Sequence, residues 1–307
     1  MLHRVGIRDP TRIPANQNMV ITTLELDTFI GDCKRRGWTF ISLDDLIEAI
    51  KKRISLKKTL ILTFDDGYLD NFSKAAPVLV AHEVPFAVYV STGFIESGEI
   101  PWWYKLEAIL ASSRKLRVPG ESVLSVRSLR EKQRAFMLIR QKIMASGNEA
   151  ENCKNWLNLN AVAPSIEQAR LFMNWDEVRQ LANLPNAIVG AHTHSHPVLS
   201  RLSDSDVFDE IRRSKVILED HIGRQVRHFA YPFGGAAEAS QREFRQVSDL
   251  CFDSAVTTKM GALNRGTIDR YSLPRCFYGP ALTLNSLQNQ LSYAIFAELI
   301  KRAFTSC

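Results

Sequence analysis

The sequence predicts an α/β protein built on a parallel sheet or a (β/α) barrel, and three observations carry that expectation. Apolar runs without alternation, at 59–64 and 86–90, read as strands buried on both faces. Between the strands lie segments with apolar residues at helical spacing, several opened by capping residues. The same alternation resumes from residue 187 to residue 256, with no internal repeat or low-complexity stretch. The 307 residues are 45% hydrophobic and 23% charged, which excludes a disordered chain, a collagen-like repeat and a small disulfide scaffold.

Taken in order, Thr22-Thr23-Leu24-Glu25 has the form of a capping box, and Leu26, Phe29, Ile30 and Cys33 follow at helical spacing up to Gly37. A strand is expected at Trp38–Ile41, then a helix capped by Ser42 that carries Leu46, Ile47 and Ile50. Thr59–Phe64 reads as a buried strand, the region near Ser73–His82 as a helix and Phe86–Val90 as a second buried strand. Further on come a strand at Ala187–Gly190, a helix capped by Ser203 or Asp204 and ended by Gly223, and a strand at Arg227–Ala230. A helix over Ala237–Val247 and a strand over Leu250–Val256 complete the series.

Residues 99–174 break the rhythm. Helices at Trp102–Leu110 and Leu129–Met144, with a short hairpin inside Arg114–Arg127, read as a mostly helical insertion that could act as a lid. The expected organisation is a strand/helix segment, 1–57, packed on a barrel domain, 58–307, that carries this insertion. A last helix, Leu284–Arg302, bears the stripe Leu284, Leu287, Leu291, Ile295 and Leu299. Docking on the domain explains that stripe, and peripheral membrane contact is the sharper reading.

No run of eighteen apolar residues is present, so a transmembrane segment is not expected. The opening residues lack the apolar segment of a secretory signal, and the expected compartment is the cytoplasm. Five cysteines form an odd set without a close pair, which fits neither a disulfide framework nor a cysteine zinc site. The net charge of +6 includes no basic block and points to no nucleic-acid partner. An anionic ligand or membrane face would suit it, as would an ordinary solvated surface. Composition says nothing of the oligomeric state.

Asp65-Asp66-Gly67 follows the first buried strand. Alone, the triplet is a turn; at the C-terminal end of a strand it stands where ligands gather in α/β proteins. Adjacent carboxylates repel, so one of them binds a cation or holds a proton. The cation has partners in Gly190–Pro197, where His192, His194 and His196 follow another strand. His192 and His196 share one face of a helical turn, and with one carboxylate they make a ligand set that leaves positions open for water and substrate. In an extended chain His194 would compete as a ligand; in a helical turn it points away. Phe229–Gly234 is a strand ending in a Pro/Gly turn, which could aim the backbone N–H of Tyr231 or a neighbour at a developing oxyanion, with its aromatic rings walling the pocket.

Together these segments resemble the polysaccharide deacetylases of the NodB-homology group, carbohydrate esterase family 4. The likeness runs from Thr59 to Arg275 through Thr63–Gly67, His192–Pro197 and Pro232-Phe233-Gly234. It is similar to the subgroup whose third motif reads Tyr-Pro-aromatic-Gly, which the opening His3-Arg4-Val5 also matches. The resemblance implies a distorted (β/α) barrel with fewer than eight regular units, and hydrolysis of an N-acetyl group on an amino sugar. It makes Asp66, His192 and His196 the ligands of one divalent metal ion, zinc by preference, with Co, Mn, Ni or Fe able to occupy the set. It makes Asp65 the general base.

Two departures stand out. Ala230 occupies the place of the arginine that orients the base in many members, and no histidine follows His228 to act as general acid. Leu273-Pro274-Arg275 suggests that Arg275 replaces the missing arginine and pairs with Asp65. His3, or Asp65 returning its own proton, remains for the acid. Trp102 and Trp103 could stack on a pyranose ring, whereas His82, His221 and His228 read as structural. A non-haem iron oxygenase shares the ligand set; a binding module, or a hydrolase of a non-sugar amide or O-acetyl ester, are the other readings. The expected cytoplasmic setting favours a nucleotide- or lipid-linked precursor of a surface polysaccharide as substrate.

Overall fold

In the computed structural model of the chain the described residues are 1–145, 148–160, 170–263 and 268–280, together with 283, 285, 286, 288 and 289. Five parallel strands form the central sheet: β1 (Leu62–Phe64), β2 (Phe86–Val90), β3 (Ala187–Ala191), β4 (His228–Ala230) and β5 (Ser254–Val256), hydrogen-bonded in that spatial order. Leu2 bridges in parallel to Phe64 beyond β1, and Leu273 bridges in parallel to Val256 beyond β5. Between these two edges the Tyr278 N–H donates to the Met1 carbonyl at 2.9 Å, and the Met1 amine donates to the Cys276 carbonyl at 2.8 Å. The sheet is therefore curled into a distorted (β/α) barrel, with irregular staves in place of some regular units.

Every residue of β2 is buried, yet the strand still sorts its side chains by parity. Phe86, Val88 and Val90 join the outer layer between sheet and helices, while Ala87 and Tyr89 face the barrel interior with Ala230, Val256 and Leu273. Two-sided burial explains why such strands read as continuous apolar runs.

The helices follow in chain order. Helix α1 (Thr23–Arg35) is opened by the Thr22–Glu25 capping box and buries Leu26, Phe29, Ile30 and Cys33. Helix α2 (Leu43–Lys51), capped by Ser42, sends Leu43 and Leu46 into the interior cluster and so plugs the end of the barrel where the strands begin. There His228 lies 3.0 Å from Asp44 Oδ1 and 2.8 Å from Ser254 Oγ, a structural clamp. Helix α3 (Ala76–Ala81) is shorter than its sequence suggests, because a wide turn at Asn71–Ala75 precedes it. Pro77 supplies no N–H to close an ordinary first turn.

Helix α4 (Thr92–Ser97) leads from β2 to α5 (Trp102–Ser112), and a hairpin pairs Lys115–Leu116 with Leu124–Ser125. Helices α6 (Leu129–Ile143) and α7 (Asn148–Leu159) follow, the second without a counterpart in the sequence reading. These elements enclose a core of their own, including Leu106, Ile109, Phe136, Ile139 and Leu157. Helix α8 (Trp175–Ala182) returns the chain to β3, and α9 (Asp204–Ile222) runs from its Ser203 cap to the left-handed Gly223. Helix α10 (Gln241–Asp249) starts later than expected, at the Ser240–Glu243 box. Strand β5 starts later too, because Leu250 caps that helix and Cys251 turns the chain at φ 57°. The stripe at residues 284, 287, 291, 295 and 299 lies outside the described residues. Among the described residues no helix is long and apolar enough to cross a membrane.

Candidate active site

Three loops at the C-terminal ends of β1, β3 and β4 converge on one point. The turn after β1 carries Asp66 at φ 77°, a left-handed conformation that a non-glycine residue adopts only under constraint. The loop after β3 carries Thr193 at φ 61° and His196 at φ 56°, and the turn after β4 carries Phe233 at φ 60°. Strained backbone thus gathers where the three motifs meet.

Asp66 Oδ1 lies 3.4 Å from His192 Nε2 and 3.2 Å from His196 Nε2. The ligand atoms of the three residues all fall within 4.8 Å of one another, the one such cluster among the described residues. His192 Nδ1–H donates to the Ala230 carbonyl at 2.7 Å, which turns Nε2 toward the cluster, where it donates to Asp66 when the ring is protonated and is free to hold a metal when it is neutral. Two imidazole nitrogens and one carboxylate oxygen are a donor set that fits a divalent ion of the zinc type. Burial alone would raise the Asp66 pKa, but hydrogen bonds with His192 and His196 hold it well below the usual carboxylate range.

Asp65 does not join them. Its two oxygens are gripped by Arg275, with Nη1 to Oδ1 and Nη2 to Oδ2 both at 2.7 Å. Arg275 is held in turn: its Nε donates to the Thr257 carbonyl at 2.8 Å and its backbone N–H to the Lys259 carbonyl at 2.9 Å. Burial pushes the Asp65 pKa up; the Arg275 guanidinium, followed by His192, outweighs it and keeps the carboxyl below its ordinary value. The pairing of Arg275 with Asp65 is the geometry the sequence suggests.

His3 follows Leu2, which bridges to Phe64 of β1, and so stands close to Asp65, whose N–H donates to the Leu2 carbonyl at 3.1 Å. Its Nδ1 is buried without a hydrogen-bond partner among the described residues. Burial lowers the His3 pKa against the pull of Asp66 and Asp65.

Two expected residues stand elsewhere. The Tyr231 N–H is donated to the Val256 carbonyl at 3.2 Å, a sheet bond that turns it away from an oxyanion role. Trp102 lies against Phe136 of the insertion's core, ring centroids 6.2 Å apart, and meets Trp103 edge-on at 5.5 Å, so Trp103 stands between it and His196. Trp103, by contrast, meets the His196 ring edge-on at 5.4 Å.

Several contributors escaped the sequence reading. Phe94 stacks on His196 at 5.8 Å, Phe172 stacks on Phe94 at 4.6 Å, and Tyr68 stacks on Phe172 at 5.0 Å. With Phe233, 4.9 Å from His196, they wall the site in aromatic surface. Tyr68 follows the Asp-Asp-Gly turn directly, and that adjacency was the available signal. His194 points away from the cluster, its Nδ1 2.8 Å from Thr92 Oγ1. Glu210, on α9, ties the histidine loop by accepting from the His194 N–H at 3.0 Å and from the Ser195 N–H and hydroxyl at 2.8 and 2.7 Å. Gly93 allows the loop to approach, since a Cβ there would fall 2.6 Å from the His194 carbonyl oxygen.

Comparison with known proteins shows the family and the fold. The sequence profile of the family described as polysaccharide deacetylase matches residues 52–248. Among solved structures, the chain resembles the deacetylase PplD of Streptococcus pyogenes, determined in complex with acetate, with a TM-score of 0.64 at 18% identity over 95% of this chain and 96% of that one. It resembles a de-N-acetylase of Aggregatibacter actinomycetemcomitans with a TM-score of 0.59 at 14% identity, covering 94% and 97% of the two chains. IcaB of Ammonifex degensii gives 0.55 at 15% identity, covering 95% and 96%. At these identities the likeness establishes the fold. No curated protein sequence matches the chain.

Proposed function

Because the chain belongs to the polysaccharide deacetylase family, we propose that it hydrolyses the N-acetyl group of an amino sugar at a divalent metal ion held by Asp66, His192 and His196. The observation that carries this reading is the division of labour between neighbouring carboxylates. Asp66 faces two imidazoles, while Asp65 is kept ionised and unligated by Arg275. A pure binding scaffold has no need of the second, separately paired carboxylate. Zinc is the ion we assign, with Co, Mn, Ni or Fe as the alternatives to be measured. When bound, the ion supplies an acidified water and a polarised amide carbonyl.

The protein's own groups do the rest. Asp65 accepts the water proton as attack begins, and Arg275 keeps it oriented for that role. His3, close to Asp65, relays the proton that Asp65 took from water to the departing amine, which is too poor a leaving group as an anion. Trp103, with Phe94 and Phe233 beside it, offers a flat apolar wall to the sugar ring. In keeping with the net positive charge, we take the substrate to be a nucleotide- or lipid-linked precursor of a surface polysaccharide in the cytoplasm. The cysteines at 33, 251 and 276 are free thiols, as that compartment would keep them.

The test is acetate release from N-acetylated sugar nucleotides and polyprenyl-linked amino sugars. It should be run anaerobically without a 2-oxo acid, before and after chelation, on the wild type and on Asp65→Asn and His3→Ala. Release should require metal, survive without oxygen and fall in both variants while their metal content holds. Undiminished release by Asp65→Asn, or a requirement for oxygen, overturns the proposal.

A further inference from the structure

The insertion exposes a series of cations around its hairpin. Arg114, Lys115, Arg117, Arg127, Arg130 and Arg134 are all exposed, with no acidic partner among the described residues. The acidic residues of that stretch are already engaged: Glu121 pairs with Lys142 at 2.8 Å, and Glu131 serves the Ser128 capping box. Register sorts the hairpin into two faces. Lys115 lies opposite Ser125 and Leu116 opposite Leu124, and residues opposite each other across an antiparallel pair share a face. Leu116, Val118 and Val126 turn into the insertion's core. Lys115, Arg117, Ser125 and Arg127 therefore look outward together with Val123, which is 51% exposed.

We propose that this hairpin face docks on a bilayer rich in anionic phospholipid, the three cations on the headgroups and Val123 in the interface. Unpaired cations flanking an exposed apolar residue suit a lipid surface. A nucleic acid would find no aromatic ring on this face to stack on. Helix α5 gives the contact its use. Trp103, near its first residue, walls the candidate site, and its last residue leads into the hairpin. Its 11 residues span roughly 16 Å. A docked hairpin thus holds the site within about one helix length of the headgroups, in reach of an amino sugar on a lipid carrier. That consequence rests on the deacetylase reading; the docking does not.

The experiment is flotation of the full chain with vesicles of phosphatidylcholine alone, or with about one third phosphatidylglycerol, at low and high salt. The chain should float with the anionic vesicles only, and less so as salt rises. Lys115→Gln/Arg117→Gln/Arg127→Gln should weaken partitioning by about a hundredfold, and Lys115→Glu/Arg117→Glu/Arg127→Glu by more. Circular dichroism would verify folding, and acetate release from a water-soluble substrate should be unchanged. Equal binding to neutral vesicles, binding retained by the charge-reversed variant, no flotation at all, or tighter binding to a DNA duplex would overturn the proposal. A chain that floats but releases no acetate keeps the docking and loses the functional reading; one that releases acetate without floating does the reverse.

Discussion

Asp65 is almost fully buried, and a carboxylate in that position stays charged only because a fixed cation faces it. Removing the cation has two separable effects. Arg275→Ala should lower kcat by about 10²–10⁴. It should also destabilise the fold by about 3–5 kcal/mol, because the buried charge loses its partner. Metal content, measured by elemental analysis, should stay at the wild-type level; loss of metal would show that Arg275 serves the ligands instead. Arg275→Lys should fall between, keeping the charge and losing the two-pronged grip. Gly93→Ala makes a different kind of test. Its Cβ would press on the His194 carbonyl, so a loss of about 1–3 kcal/mol and weaker metal affinity are expected, from denaturant titration and metal competition. The contiguous motifs made Asp65, Asp66, His192 and His196 visible in the sequence. Arg275 was visible only through a resemblance, since 210 residues separate it from its partner. Tyr231 and Trp102 were misjudged because sequence does not show which neighbour claims an N–H or a ring. Phe94 and Phe172 look like core residues on paper and become wall residues only when the strand ends meet.

Among the elements, α1 depends on one carboxylate. Glu25 closes the capping box with Thr22 and takes both Arg8 nitrogens, at 2.6 and 2.9 Å. The Arg8 hydrogen bonds, against a smaller burial effect, bring its pKa down to about 2. The stability this contributes is complete above the ordinary glutamate range and disappears as pH falls toward about 2. Glu25→Gln should therefore flatten the acid limb of a plot of stability against pH, and an unchanged limb would count against the assignment. Glu210 is the equivalent tie for the histidine loop. Glu210→Ala should cost about 1–3 kcal/mol and loosen metal binding, read by thermal melts and metal competition, while α9 itself stays helical by circular dichroism. Capped helices and the long buried strand β2 were legible because their signals are local. The late start of β5 was not, because it depends on a left-handed turn at Cys251 that no apolar pattern announces.

For the whole molecule, a ligand that binds the folded state alone shifts the unfolding equilibrium by mass action. Zinc at about a hundred times its Kd should add about 2.7 kcal/mol, and Asp66→Ala should abolish the gain in a thermal melt. A melt indifferent to every divalent ion tested would remove the metal reading. The alternation of strands and helices made the barrel class readable, but the way its edges meet was hidden, since it depends on backbone contacts between Met1 and the stretch around Cys276.

That seam has a consequence for the order of assembly. A nascent chain exposes Asp66, His192 and His196 well before residue 275 leaves the ribosome. Until the late stave swings in beside β5, Asp65 has no counter-charge, and a carboxyl enclosed in that state would be protonated and idle. On the proposed function, competence to bind the ion would precede competence to turn over, because Asp65 gains its counter-charge only when the stretch around Arg275 docks.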